Sequence, residues 1–370
     1  MVRNSKEVLL LILGSTVVGW SVKSAISLFN VVAQRQAYDS ENYPKWSDLS
    51  TSAMWFAVFM VAHAVSFLIF GPTARKLIHK RPYWSTEVWV AKLERFCSAI
   101  FQLGFSIVTT YMLYQTLRQT SWLPPVLGGT GSTTNCWADN YPYQQIPEAL
   151  RRLYLIFIGY SSAEMVGHVI RERNRPDFYE LLVHLLVTNC LLVFSYYGNY
   201  IRIGSLILLA HSGSDIFVYF AKALVDTKLT GGALSYIPLL LAYVWCRIYV
   251  HSAVILKSIW TEAAPSVLSS LVHWDYMNFL LSVLLMLHMY WLFVIVKIGI
   301  YLLSTGKSRD LQASLSSLNV RQQHIAGGTT GGPGGGPSFD MSTIMIPTLE
   351  QQTSNSTAAE SAESSTARRR

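Results

Sequence analysis

Seven stretches of this 370-residue chain are apolar over membrane-crossing length, and an eighth nearly so. They fall at about residues 51–71, 97–117, 149–170, 179–197, 203–224, 236–257 and 277–303, with the weaker one at about 8–29, interrupted by Lys23. A hydrocarbon core about 30 Å thick needs roughly 20 apolar residues of α-helix to cross it. Backbone inside that core must satisfy its own hydrogen bonds, which leaves only helices or closed barrels. Runs of this length predict helices, so the chain is expected to be all-α: a polytopic transmembrane helical bundle of seven or eight spans. The low charged fraction, 14% against 51% hydrophobic residues, fits that class and not a soluble multidomain protein. For residues 8–29 a span, a surface-lying amphipathic helix and an uncleaved signal anchor all stay open.

Charge placement gives the expected orientation. One set of alternating loops carries Arg75, Lys76, Lys80, Arg81, Lys92 and Arg95, then Arg171, Arg173, Arg175 and Lys228. The opposite set carries only scattered cations such as Lys45, Arg118 and Lys257. By the positive-inside rule both termini are cytosolic. The net charge of +8 therefore reflects topology, and the separation of its basic residues into membrane-proximal loops excludes nucleic acid as a partner. On this topology the Asn355-Ser356-Thr357 sequon stays unglycosylated. The four cysteines show neither a disulfide framework nor metal-ligand spacing. From about residue 304 the composition turns to Gly, Ser, Thr and Ala, ending in Arg368-Arg369-Arg370, which predicts a disordered tail.

The chemistry concentrates in one hairpin, Asp177 to Val225. Two apolar helices flank a polar hinge, Tyr197-Gly198-Asn199-Tyr200-Ile201-Arg202. His184 lies in the first; His211, Asp215 and Lys222 lie in the second on one helical face. Ionisable groups at membrane depth cost about 2.5–3.5 kcal/mol each, which marks them as functional candidates. At roughly 1.5 Å per residue, His184 is about 9 Å and His211 about 15 Å from the same side, so both imidazoles can face one pocket. Elsewhere, Tyr160, Glu164 and His168 follow at i, i+4, i+8; a satisfied Glu–His pair, an interfacial His168 and a cavity-lining role stay open. Tyr243, Arg247 and His251 share a face of the seventh run, where Arg247 either pairs with Asp215 or binds an anionic group. In the last run, Tyr290 and Trp291 are expected to pack, and Lys297 to snorkel.

The hairpin resembles the signature of ceramide synthases, acyl-CoA-dependent sphingoid-base N-acyltransferases of the TLC-domain family. That signature runs R-K-D-F, H-H-x-x-T, S-Y-x-x-N-x-x-R-x-G, H-D-x-x-D, then K. The chain carries Arg175-Pro176-Asp177-Phe178, His184-Leu185-Leu186-Val187-Thr188, Ser195-Tyr196 with Asn199, Arg202 and Gly204, then His211-Ser212-Gly213-Ser214-Asp215 and Lys222. It departs at Leu185, which replaces a histidine, and at Ser212, which replaces an aspartate. The Trp/Pro-rich segment 118–148, Arg247 and the Leu287-His288-Met289-Tyr290-Trp291 stretch are also similar to the family. The resemblance divides the chain into an N-terminal span and lumenal loop (1–50), a TLC-like transmembrane domain (51–303) and a cytosolic tail (304–370).

What the resemblance implies is transfer of a fatty acyl group from acyl-CoA to a sphingoid amine, giving (dihydro)ceramide in the endoplasmic reticulum membrane. Histidine titrates near the working pH and suits general acid–base or nucleophilic work. His184, His211 and Asp215 are the expected catalytic residues, with Asp215 orienting His211 as a carboxylate orients the histidine of a triad. Lys222, Arg247, Arg202 and Asn199 are the expected substrate-binding residues. No metal or bound cofactor is expected; acyl-CoA is a co-substrate. The family implies a homodimer, or a heterodimer with another ceramide synthase. Leu185 and Ser212 support the alternative: a catalytically silent paralogue that regulates an active partner or senses lipid.

Overall fold

The computed structural model describes residues 5–39, 43–80, 85–139, 141–173, 177–225, 227, 232–263 and 273–305. Arg81, Trp84, Arg175-Pro176, Lys228 and the tail from residue 306, with its Asn355 sequon and terminal arginines, lie outside the described residues. Among those described, helices and short 3-10 turns carry all the regular structure, and no strand occurs.

Eight helices are long and apolar enough to cross a membrane. They are α1 (Ser5–Tyr38), α2 (Asp48–Leu77), α3 (Thr86–Leu117), α4 (Glu148–Arg171), α5 (Phe178–Tyr197) and α6 (Ile201–Leu224). The seventh, α7, is α-helical over Gly232–Tyr243, π-helical over Val244–Leu256 and α-helical again over Lys257–Thr261. The last, α8, spans Trp274–Thr305. The fold is thus all-α and polytopic, with the eighth span present.

Sequence explains the boundaries. Ser85 caps α3 by accepting from the Val88 amide at 3.2 Å. The α5–α6 hinge turns at Asn199, whose φ of 59° is left-handed, a region that asparagine tolerates better than most residues. Gly204 in the next turn has no room for a side chain: a Cβ there would lie 1.8 Å from the Tyr154 hydroxyl.

The α1 helix docks on α5 and α8. Leu10, Val17, Leu28 and Val32 form its buried stripe. Trp20 stacks on Phe279 with ring centroids 5.1 Å apart, and Ser21 hydrogen-bonds the Tyr276 hydroxyl. Lys6 pairs with the buried carboxylate of Glu180 and donates to the Tyr290 hydroxyl at 2.8 Å. Of the readings of residues 8–29, these contacts weigh against a surface-lying helix, because α1 runs alongside α5 and α8.

The other helices surround a cavity of about 990 Å³. It runs from a charged mouth, with Lys92, Arg95, Arg171 and Lys222 interspersed with Glu94, Glu172 and Asp177, to an aromatic floor of Trp137, Tyr154 and Tyr200. The segment between α3 and α4 covers the floor, and the buried Trp122, Leu123, Trp137 and Tyr141 tie it to the core.

Candidate functional site

His184 on α5 and His211 on α6 both line this cavity, together with Leu185, Thr188, Asp215, Lys222, Arg247 and Trp291. The hairpin brings the two histidines to one chamber, and the ring that connects them is His288 on α8. Its centroid lies 6.2 Å from that of His184 and 4.9 Å from that of His211. His251 on α7 completes the cluster, 5.7 Å from His211 and 5.5 Å from His288. His251 and His288 are both 0% exposed. Each of the four rings carries a buried nitrogen without a hydrogen-bond partner: Nδ1 of His184, Nε2 of His211, Nδ1 of His251 and Nδ1 of His288. Other buried polar atoms also lack partners, Tyr160 Oη and Trp122 Nε1 among them; what points to a site is that these four belong to one cluster of rings.

Asp215 does not orient His211. Its carboxylate is held by the Arg247 guanidinium, and Nδ1 of His211 donates instead to the Ile207 carbonyl at 2.8 Å. The reason is charge: a guanidinium brought into the bundle by α7 needs a carboxylate more than a neutral imidazole does. Arg247 also donates to the Ser214 hydroxyl at 2.9 Å and reaches Nε2 of His288 at 3.3 Å. Of the two roles open to Arg247, pairing with Asp215 is the one observed.

Both departures from the resembling pattern have structural settings. Leu185 lines the cavity, and its carbonyl accepts from Asn189 at 2.8 Å. Ser212 sits among hydroxyls of α3: Thr110 donates to it at 2.8 Å, Thr109 lies 2.9 Å away, and it donates to the Ser106 carbonyl at 3.3 Å.

Two expected substrate residues lie elsewhere. Arg202 and Asn199 are not among the residues lining the cavity. Arg202, 4% exposed, donates to the Asn135 carbonyl and to Asp139 at 2.9 Å each and to the Gln145 carbonyl at 3.3 Å. It also stacks on Trp122, 4.6 Å from the ring centroid. Asn199 donates to the Pro142 carbonyl. Both residues clamp the α3–α4 segment onto the hinge, because that segment is irregular backbone whose buried carbonyls need donors. Lys222 does stand at the cavity mouth, its ammonium 5.3 Å from the Tyr219 ring centroid.

Glu164 and His168 line the cavity but do not pair with each other. Gln102 donates to Glu164 at 2.5 Å, while His168 contacts Glu172 and the Phe178 carbonyl at 3.0 Å each. Trp291, expected to be packing, meets His184 edge-on at 4.9 Å.

His251 and His288 were not singled out as site residues from the sequence. The spacing of Arg247 and His251 placed them on one face, but only the fold shows that this face meets His211. The π-helix carrying both is itself a feature enriched at functional sites.

Comparison with known proteins places this geometry in a family. The TLC-domain profile matches residues 95–297, more than half of the chain. Ceramide synthase hyl-1 of Caenorhabditis elegans is 28% identical over 56% of this chain and 58% of its own length. Ceramide synthase 5 of Homo sapiens is 26% identical over 62% of this chain and 57% of its own. Sphingosine N-acyltransferase lac1 of Schizosaccharomyces pombe is 24% identical, over 60% and 58%. The matches thus span a little under three fifths of these relatives' lengths. The hairpin and all four clustered histidines fall inside the matched region, and the chain belongs to the TLC-domain family.

Proposed function

We propose that this chain is a ceramide synthase-like N-acyltransferase that moves a fatty acyl group from acyl-CoA to the amine of a sphingoid base. The observation that carries the reading is the placement of His184 and His211 in one cavity whose mouth is lined by charged residues of both signs. Relatives named as ceramide synthases give that cavity its substrate class. Lys92, Arg95, Arg171 and Lys222 suit the phosphates of the acyl donor, and the wall toward Tyr154 and Tyr200 suits a hydrocarbon chain. His211 acts as acid and base at the thioester, with His184 as the second imidazole on the cavity wall. Acyl-CoA is a co-substrate, and no resident cofactor is part of this reading. The protein works in the endoplasmic reticulum membrane with both termini cytosolic, as a homodimer or paired with another synthase.

A second reading has its own observation. With Leu185 in place of a histidine and Asp215 committed to Arg247, no carboxylate faces His211. That favours a silent paralogue that regulates an active partner or senses lipid. Expression in membranes lacking endogenous ceramide synthase, with a sphingoid base and a panel of acyl-CoAs, separates the two. Ceramide detected by mass spectrometry, and lost in both His184→Ala and His211→Ala, supports the enzyme. Folded, correctly localised protein without product makes the silent paralogue the better reading.

A further inference from the structure

We propose that His251 is the site's second proton acceptor, working through His211. The proposal rests on the acyltransfer reading above and concerns its proton balance. A sphingoid amine is an ammonium near neutral pH, with three N–H bonds; the amide product has one. As the C–N bond forms and the C–S bond breaks, two protons therefore leave nitrogen. One ends on the thiolate sulfur. The other needs a second base: Leu185 cannot take it, and His184, the other imidazole on the cavity wall, stands outside the group of three rings whose nitrogens converge at His211.

The hydrogen bonds around the cluster fix which nitrogens carry protons. A guanidinium only donates, so Arg247 at 3.3 Å makes Nε2 of His288 an acceptor and leaves the N–H on Nδ1. Nδ1 of His211 donates to the Ile207 carbonyl at 2.8 Å, and Nε2 of His251 donates to the Leu281 carbonyl at 3.3 Å. Nε2 of His211 and Nδ1 of His251 are thus lone pairs, both buried and unpartnered. One nitrogen from each of the three rings lies within 4.8 Å of those of the other two. Three converging lone pairs would suit a divalent metal ion. Two lone pairs and one N–H beside a guanidinium suit a transferable proton instead.

The groups facing His251 are His211 and Asp215 on α6, His288 on α8, with His184 of α5 beyond it, and Arg247 on its own helix. The Arg247 charge rests on Asp215, so a proton arriving at His251 meets an ion pair rather than a free cation. Protonated His251 keeps its Nε2–H on the Leu281 carbonyl, a partner that favours the charged ring.

The sequence of events balances. His211 takes one proton from the ammonium through Nε2 and, because that atom and Nδ1 of His251 are not hydrogen-bonded to each other, passes it to His251 by a ring movement or through one water. Its lone pair restored, His211 takes the second proton as the amine nitrogen attacks the thioester carbon, and delivers it to sulfur as the C–S bond breaks. After the amide leaves, the proton on His251 returns through His211 to water in the cavity. His251 thereby does for His211 what a carboxylate at position 212 cannot do in this chain.

The test is the pH profile of ceramide formation by wild type, His251→Gln and His251→Phe, each checked for folding by thermal melting. Glutamine keeps a donor for the Leu281 carbonyl but accepts no proton at neutral pH. The expected result is a loss of about 100-fold near pH 7 in His251→Gln, the scale of one general acid–base contribution. The loss shrinks to about threefold at alkaline pH, where the amine arrives already neutral and only one proton has to be moved. His251→Phe follows the same curve if it folds. A His251→Gln profile parallel to wild type, whether unchanged or uniformly lowered, overturns the relay while leaving the acyltransferase intact. Wild type without ceramide product sinks both. One equivalent of divalent metal in purified wild type, lost in His251→Gln, also overturns the relay, because the nitrogens would then be ligands.

Discussion

The hinge of the α5–α6 hairpin and the middle of the bundle direct their polar groups to different places. At the hinge, Arg202 and Asn199 meet the carbonyls of a folded-over segment, and Tyr141 donates to the Gly198 carbonyl at 2.8 Å. In the middle of the bundle, His184 and His211 of this hairpin cluster with His251 of α7 and His288 of α8, each keeping one buried nitrogen without a partner; at the hinge Arg202 Nε and Asn199 Oδ1 are unpartnered too, but the other polar atoms of both residues are bonded to protein. Paired polar groups hold a fold in place. Unpaired ones cost stability, about 1–3 kcal/mol for each buried atom, and persist where function maintains them. What assigns the hinge to architecture is that Arg202 and Asn199 bond protein carbonyls away from the cavity, whereas His184 and His211, from the same signature, line it.

The largest expected effect tests the chemical end. His211→Gln should lower ceramide formation by about 100- to 10,000-fold per folded molecule, the range for loss of a general acid–base group, with little change in thermal stability. Next comes the architectural end. Arg202→Met removes the donor to two buried carbonyls and to Asp139, and should destabilise the protein by about 2–3 kcal/mol in a melting assay. Asn199→Ala loses the Pro142 contact and strains a left-handed position, for about 1–2 kcal/mol; Asn199→Gly relieves the strain and should recover part of it. The smallest effect sharpens the comparison. If His251 already accepts the second proton, Leu185→His should change the rate by less than about threefold, measured as initial velocity. A large gain would mean that the site lacks the base assigned to it.

Much of this was legible before any coordinates. Apolar runs separated by charged loops gave the helices, and the spacing of His184 and His211 gave their shared chamber. The contacts of the hinge were not legible because its partners, Asn135, Asp139, Pro142 and Gln145, lie 57 to 67 residues away in a segment without periodicity. For Asp215 two partners, His211 and Arg247, stayed open, because helical spacing shows which residues share a face, not which neighbour competes for them. Arg247 wins that carboxylate from another helix. His288 passed unweighed because a single histidine in an apolar helix usually packs against a neighbour. Only the three-dimensional cluster distinguishes it.

The most direct test of the assignment is turnover per folded molecule for His211→Gln and Arg202→Met, measured side by side. Membranes free of endogenous synthase, mass-spectrometric ceramide quantification and a parallel melting curve would suffice. The account predicts that His211→Gln melts near wild type and loses turnover, whereas Arg202→Met melts lower and turns over normally in the fraction that is folded. An Arg202→Met protein that melts like wild type yet makes no ceramide would contradict the account and place the hinge at the substrate.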